Sequence, residues 1–139
     1  MDSLQSEAAE ADVTLTLRGE SAVVDGIPPV LYSMIFNLCD NAIKYNRTGG
    51  GVKVQVSNYP EDIRITVADT GIGIPEESRE RIFERFYRVD KSRSKEVGGT
   101  GLGLSIVKHA AMIHHAKIQM DSVTGKGTTF TVVFPKTEE

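Results

Sequence analysis

The sequence of 139 residues has no tryptophan and a single cysteine, Cys39, so no internal disulfide can form. Few cysteines are typical of proteins from a reducing compartment. The net charge is −3, so the basic excess that favours nucleic acids or anionic membranes is missing. No apolar run approaches the ~20 residues that cross a bilayer, and no signal-peptide pattern is present. Length and composition together predict one globular domain.

The chain also lacks the two commonest nucleotide-binding motifs. A P-loop requires Gly-Lys-Ser or Gly-Lys-Thr, which does not occur, and Gly71 and Gly73 do not complete a dinucleotide-binding Gly-x-Gly-x-x-Gly. Three alternating glycines, Gly99, Gly101 and Gly103, do precede an apolar helical pattern. Glycine lets backbone amides approach a ligand, and a helix start presents unpaired N–H groups. This run therefore predicts a phosphate site, and a flexible linker is the alternative.

Alternation of apolar and polar residues predicts strands. It occurs over 13–18, 52–56, 63–67, 117–122 and 128–134, with a short apolar piece at 22–24. Helical periodicity begins at Pro28, a shorter helix is predicted from Pro75, and another follows Gly103. Short turns join consecutive strands, whereas helices fall between strand pairs. The sequence thus predicts an α/β fold of the α+β type. It is a two-layer sandwich in which three helices cover one face of a mixed, mostly antiparallel sheet of about five strands.

The first long helix carries an unusual polar side. Asn37, Asn41 and Lys44 project within an arc of about 60°, opposite an apolar face in which Cys39 is predicted to pack. Asparagine is a poor helix former, so two of them four residues apart need a reason. Their amide oxygens suit Mg²⁺, and a neighbouring ammonium suits phosphate. A solvated polar face is the alternative.

Asp69 continues the apolar parity of Ile63, Ile65 and Val67, so its side chain is predicted to point inward. A buried carboxylate requires hydrogen-bond donors. The exocyclic amine of a nucleotide base supplies such a donor, and an Asx turn with Gly71 is the alternative.

Five segments together resemble the sequence boxes of sensor histidine kinases. Residues 37–45 resemble the N box, 69–74 the G1 box, 83–88 the F box and 99–104 the G2 box. Residues 125–128, Gly-Lys-Gly-Thr, resemble the glycine motif before the closing strand. The boxes follow the family's order over about residues 12–135, which makes the resemblance specific. It implies a Bergerat-type ATP-binding fold of the GHKL superfamily, which gyrase-like ATPases share.

The resemblance also implies roles for individual residues. Asn37 and Asn41 would hold Mg²⁺, and Lys44 and Arg88 would contact the phosphates of ATP, so that Asn37, Lys44 and Arg88 form the candidate catalytic set. Tyr45 would lie against the nucleotide, Asp69 would accept a hydrogen bond from the adenine amino group, and residues 88–100 would form a lid. The other implied nucleotide contacts come from the glycine motifs: Gly71, Gly73, Ile74, Gly99, Thr100, Gly101, Leu102, Gly103, Leu104 and Thr128.

Position 37 distinguishes the subclasses of this superfamily. ATP-hydrolysing relatives carry a glutamate there that activates water. Asn37 cannot accept a proton, so the resemblance implies poor hydrolysis and phosphoryl transfer to another nucleophile. The family's acceptor is a histidine in an upstream helix, and His109, His114 and His115 lack its sequence setting. The turn from His114 also departs from the family's His-Gly-Gly, because it reads His-His-Ala.

The expected organisation is one catalytic domain over residues 12–135. Residues 1–11 are a tail or the remnant of an upstream linker helix, and 136–139 are a tail. The expected partners are the dimerisation and histidine-phosphotransfer domain of the same kinase and, downstream, the receiver domain of a response regulator. Neither nucleic acid nor membrane contact is expected. The isolated fragment is expected to be a monomer in the cytoplasm, from a parent kinase that could be anchored in the bacterial inner membrane.

Two alternative functions remain open. A GHKL-type protein-serine kinase of the anti-sigma kind uses the same ATP site, although the aromatic F box between Ile82 and Tyr87 argues against it. The second alternative is a non-catalytic module that binds ATP only to regulate a partner. The complete set of implied nucleotide contacts argues against such a module.

Overall fold

The computed structural model describes residues 2–19, 26–84 and 103–136. Helix α1 spans Asp2–Glu10 and strand β1 spans Thr14–Gly19. Helix α2 covers Pro28–Lys44 and is followed by β2 (Gly51–Asn58) and β3 (Asp62–Asp69). After a 3-10 turn at Glu76–Ser78 come α3 (Gly103–Ile113), β4 (Lys117–Val123) and β5 (Gly127–Pro135).

The five strands form one sheet in the order β1-β2-β3-β5-β4. Strands β1 and β2 are parallel, and the other three neighbouring pairs are antiparallel. The predicted α/β fold with a mixed, mostly antiparallel sheet is therefore confirmed. The order places the end of β3 beside the start of β5, since Ala68 pairs with Thr129. Asp69 and Thr128, predicted from separate motifs, thus become neighbours.

The core lies between the sheet and the helices. Helix α2 contributes Met34, Leu38, Cys39, Ala42 and Ile43, all buried, and it packs against α3, α1 and the strands β2 and β3. The predicted packing role of Cys39 is confirmed, because its side chain is fully buried. Burial, with a smaller contribution from the charge of Asp40, raises the pKa of the Cys39 thiol to about 11. This thiol is therefore a packing group and a poor nucleophile.

A histidine links the end of α3 to the start of α2. The N-cap residue Ile27 has no side-chain cap, and its N–H donates to His114 Nε2 at 3.0 Å. The other ring nitrogen, Nδ1, lies 2.8 Å from the Ala110 carbonyl oxygen, so it carries the proton. This contact fixes the position of α2 relative to α3, the two helices that carry most of the predicted site.

Three further regions of the sequence prediction have separate outcomes. A helix was predicted from Pro75, but its described part contains only a 3-10 turn. There the Ser78 N–H donates to the Pro75 carbonyl and the Arg81 N–H to the Ser78 carbonyl. The apolar piece at 22–24 lies outside the described residues. Residues 2–10 form a helix with Ala8 buried, and its continuity with an upstream linker helix stays a prediction. Among the described residues, no helix has the length and apolar character that crossing a membrane requires.

Candidate functional site

The polar side of α2 lies beside the start of α3. Asn37, Asn41 and Lys44 are all partly exposed, in contrast to the buried face of the same helix. Asn37 Nδ2 donates to the Ser33 carbonyl at 2.7 Å, which turns Oδ1 away from its own helix. A Cβ placed on Gly103 would lie 3.3 Å from that Oδ1. The fold therefore brings a predicted Mg²⁺ ligand next to a glycine of the predicted phosphate-binding run.

Lys44 is engaged by a neighbouring carboxylate. Its Nζ lies 3.1 Å from Asp40 Oδ2, one turn earlier on α2. Asp40 also lies close to the carboxyl group of Glu7 on α1, which can donate a hydrogen bond to it when protonated. Burial, followed by the hydrogen bond and the charge of Asp40, raises the pKa of Glu7 to about 7. The i, i+4 spacing of Asp40 and Lys44 is a signal of this pair in the sequence, whereas the contribution of α1 carries no such signal.

Asp69 is the last residue of β3 and lies near the C-terminal end of α2. Its Oδ1 accepts hydrogen bonds from the Gly71 N–H at 2.9 Å and the Thr128 N–H at 3.2 Å. Burial raises the pKa of the Asp69 carboxyl, and the two backbone bonds offset only part of that shift. The bond to Gly71 is the Asx-type contact that was the alternative reading of the sequence. It uses only Oδ1, and within the described residues Oδ2 makes no hydrogen bond to the protein.

Close packing explains the glycines after Asp69. A Cβ on Gly71 would lie 2.4 Å from the Tyr45 carbonyl oxygen, at the C-terminal end of α2. Gly73 has φ +76°, and a Cβ there would lie 2.5 Å from the Val123 carbonyl oxygen. The Ile72 N–H also donates to the Tyr45 carbonyl at 3.2 Å. The segment after β3 is therefore pressed against both α2 and β4.

The predicted residues line one side of the C-terminal half of α2. The helix rises by 1.5 Å per residue, so Asn37 and Tyr45 are about 12 Å apart along its axis. Amide oxygens and Gly103 lie at one end of this stretch, and the Asp69 carboxylate lies at the other. This arrangement can bind the phosphates of a nucleotide at one end and its base at the other.

Two buried hydroxyl groups support the Asp69 end, and only one of them was expected. Ser122 Oγ lies 2.8 Å from Thr128 Oγ1, and the Ile74 N–H donates to the same Ser122 Oγ at 2.8 Å. Both hydroxyl side chains are buried. Ser122 shares strand parity with the half-buried Ile118 and Met120, so a polar residue at an inward position was the available signal.

Two arginines also contact this region, although no sequence motif predicted that they would. Arg47 Nη2 donates to the carbonyl oxygens of Gly71, at 3.1 Å, and of Gly125. Arg79 donates from Nε to the Ile74 carbonyl at 3.3 Å and from Nη2 to the Ser122 carbonyl at 2.5 Å. Carbonyl acceptors are present at every residue, so no residue type marks such a contact in advance.

Several predicted site residues lie outside the described residues: Arg88, Gly99, Thr100, Gly101 and Leu102. Their roles, and that of the lid over 88–100, stay predictions. Leu104 is described, and it packs against the hydrophobic core in the first turn of α3. Ile74 is also part of that core.

Comparison with known proteins gives consistent matches over most of the chain. The model of the histidine kinase-, DNA gyrase B-, and HSP90-like ATPase family matches residues 26–138. The chain is 41% identical over 128 residues to the sensor histidine kinase RppB of Synechocystis sp., covering 92% of this chain and 28% of that protein. It is 48% identical over 105 residues to the sensor histidine kinase WalK of Bacillus subtilis, covering 74% of this chain and 17% of that protein.

Solved structures show the same similarity. The chain superposes on the mycobacterial sensor histidine kinase MprB with a TM-score of 0.83 and 31% identity, covering 96% of this chain and 91% of that one. For the catalytic domain of histidine kinase ThkA the TM-score is 0.81 at 25% identity, with 97% and 86% covered. The chain spans well under half the length of the curated relatives that it matches.

Proposed function

The chain belongs to the family of histidine kinase-, DNA gyrase B-, and HSP90-like ATPases, and from this membership we propose that it is the catalytic ATP-binding domain of a sensor histidine kinase. It transfers the γ-phosphoryl group of Mg-ATP to a histidine on the dimerisation domain of the same kinase. The observation that carries this proposal is the single line of polar groups along α2, from Asn37 and Gly103 to Asp69. Its length and chemistry suit one adenine nucleotide.

Asp69 selects the base. Its Oδ1 is held by two backbone N–H groups, so Oδ2 is the oxygen available to a ligand. Adenine presents an amino group that donates to such an oxygen, whereas guanine presents a carbonyl at the same ring position. A site built around one hydrogen bond rejects the wrong partner strongly, because polar groups are then left unpaired. Tyr45, Gly71, Gly73, Ile74 and Thr128 form the surroundings of this base site.

Asn37 and Asn41 hold Mg²⁺. Two neutral amide oxygens together with phosphate oxygens and water suit this hard cation, and Asn37 Oδ1 is turned out of its helix by the Nδ2 bond to Ser33. When bound, Mg²⁺ neutralises charge on the phosphates. Lys44 adds a positive charge one turn further along the helix. Its ammonium group then contacts both Asp40 and the nucleotide. Arg88 and the residues from Gly99 to Leu104 complete the phosphate contacts.

The same residues direct the phosphoryl group away from water. Asn37 has no proton-accepting group, so this side chain does not activate a water molecule for attack. Catalysis depends on positioning and charge, and the nucleophile is supplied by the histidine of the dimerisation domain. A response-regulator receiver domain receives the phosphoryl group afterwards. The domain works in the cytoplasm and is a monomer when isolated from its kinase, which could itself be anchored in the inner membrane.

Matched lysine variants test the nucleotide site. Lys44→Ala removes the proposed phosphate contact, whereas Lys53→Ala removes an exposed lysine from β2. We expect calorimetric titration to show a loss of ATP affinity of about tenfold for Lys44→Ala and none for Lys53→Ala, because charge-assisted hydrogen bonds are the strong ones. Adenosine affinity stays the same in both variants. Equal ATP affinities for the two variants would contradict the proposed phosphate end.

A further inference from the structure

We propose that Arg47 and Arg79 act as two clamps that hold the Asp69 turn, residues 69–74, against the hairpin of β4 and β5, and that they thereby set the adenine selectivity of the site. The inference rests on the proposed function, since it assumes that Asp69 receives the base. Both arginines are positioning residues, because neither is proposed to touch the nucleotide.

The orientation of Asp69 depends on two separate segments. Its Oδ1 accepts one N–H from Gly71, within the Asp69 turn, and one from Thr128, on β5. If the turn and the hairpin moved apart, one of these bonds would lengthen and the carboxylate would rotate. The direction of Oδ2 is therefore set by how firmly the two segments are joined.

Few hydrogen bonds between backbone groups join the Asp69 turn to its surroundings. The Thr70 N–H donates to the Gly51 carbonyl at 3.1 Å, and the Ile72 N–H donates to the Tyr45 carbonyl at 3.2 Å. Both bonds run to the side of α2 and β2. Towards the hairpin, the Gly125 N–H donates to the Ile72 carbonyl at 2.8 Å.

Arg47 adds a bridge at the tip of the hairpin. One guanidinium nitrogen donates both to the Gly71 carbonyl, at 3.1 Å, and to the Gly125 carbonyl. The Gly71 N–H is already held by Asp69, so Gly71 is fixed through both of its backbone polar groups. A displacement of this glycine would move the carboxylate directly.

Arg79 adds a second bridge at the other end of the turn. Its Nε donates to the Ile74 carbonyl at 3.3 Å, and its Nη2 donates to the Ser122 carbonyl at 2.5 Å. The Ser122 hydroxyl is hydrogen-bonded to the Thr128 hydroxyl, and the Thr128 N–H donates to Asp69 Oδ1. Both bridges therefore link the same two segments, and both lead back to the carboxylate.

Arginine suits this task better than lysine. Its planar guanidinium presents several N–H donors in a fixed arrangement, so it can hold two carbonyl oxygens at a defined separation. A lysine ammonium offers three donors at one rotating point and does not fix that separation.

The experiment measures the ratio of ATP affinity to GTP affinity for Arg47→Ala, Arg79→Ala and the double variant, by calorimetric titration at one salt and Mg²⁺ concentration. Arg64→Ala is the matched control, since Arg64 is exposed, pairs with Asp62 and lies over the Tyr59 ring. We expect each clamp variant to reduce the ratio about fivefold to tenfold, because a misdirected Asp69 Oδ2 weakens the hydrogen bond that distinguishes adenine from guanine. The control leaves the ratio unchanged.

A second measurement separates positioning from folding. Thermal unfolding shows whether each variant is folded, and amide hydrogen exchange of Gly71 and Thr128 reports the two bonds of Asp69 Oδ1. Faster exchange of both amides in folded Arg47→Ala is expected, with part of the ratio restored in Arg47→Lys. If Arg79→Ala does not fold, Arg79→Gln, which keeps one donor, provides the same comparison.

The possible results distinguish the two proposals. A wild-type chain that binds no ATP, or binds ATP and GTP equally, contradicts the proposed function. A selective wild-type chain whose folded clamp variants keep the same ratio overturns the clamp inference alone. A lower melting temperature with an unchanged ratio has the same meaning, because the arginines would then serve only folding.

Discussion

Exchanging Asp69 for asparagine changes one atom of the side chain that would recognise the base. In Asp69→Asn the amide oxygen can keep the place of Oδ1, which accepts from the Gly71 N–H at 2.9 Å and the Thr128 N–H at 3.2 Å. The amide nitrogen then stands where the wild type presents Oδ2. The variant offers a donor to the ligand in place of an acceptor, while both backbone bonds remain.

The size of the effect follows from the kind of hydrogen bond that is lost. A hydrogen bond to a charged group contributes about 1.5–3 kcal/mol, which corresponds to a loss of roughly 10- to 150-fold in ATP affinity. GTP should gain, because the guanine carbonyl accepts from the new amide. Folding stability should not fall, since burial raises the pKa of the wild-type Asp69 carboxyl and asparagine carries no charge to desolvate.

Calorimetric titration of ATP and GTP measures the change, and thermal unfolding confirms the fold. Asp69→Ala is the contrasting variant. It leaves the N–H groups of Gly71 and Thr128 without their acceptor, so it should lose ATP affinity and also stability, by about 1–3 kcal/mol. Equal ATP-to-GTP ratios in the wild type and folded Asp69→Ala or Asp69→Asn would refute the proposed base recognition.

Three further predictions concern other parts of the chain. Asn41→Ala should stay folded and lose the Mg²⁺-dependent part of its ATP affinity, measured by titration with and without Mg²⁺; an unchanged Mg²⁺ dependence would mean a merely solvated helix face. His115 follows the end of α3 and has φ 55°, and the Ala116 N–H donates to the Ala111 carbonyl. In urea titrations, His115→Gly should therefore have a free energy of unfolding about 1 kcal/mol higher than His115→Ala. Equal stabilities of the two variants would contradict backbone strain at this position. The pKa of Glu7 is raised from 4.5 to about 7, so between these pH values the folded state binds more protons than the unfolded state. The free energy of unfolding should therefore decline as pH rises through this range, and Glu7→Gln should flatten the decline. An unaltered slope in Glu7→Gln would exclude Glu7 as its source.

The sheet and α2 could be predicted because one face of each is buried. Along β5 the burial alternates residue by residue, as Phe130, Val132 and Phe134 face the core. The same parity in β3 identified Asp69 as a polar residue at an inward position. Patterns of period two and 3.6 record burial directly, so they locate elements and the candidate residues within them.

The connections around the site could not be predicted in the same way. Arg47 contacts carbonyls 24 and 78 residues away along the chain, and an acceptor that is present in every peptide leaves no mark on the sequence. The helix predicted from Pro75 shows that apolar spacing can predict packing without predicting the backbone geometry. Its apolar spacing at Ile82 and Phe83 is correct for packing, yet Arg79 bonds back to the Ile74 carbonyl, and the described backbone continues in 3-10 and turn geometry.

The phosphoryl-transfer assay tests the central claim most directly. The chain is incubated with Mg²⁺ and γ-labelled ATP, with and without the dimerisation domain of the same kinase. We expect no label on the chain, negligible phosphate release, and acid-labile label on a histidine of the added domain. Transfer should be slow, because separate domains lack the effective concentration that a covalent linker provides. Acid-labile label on the chain's own His109, His114 or His115, or rapid phosphate release without an acceptor, would contradict the account.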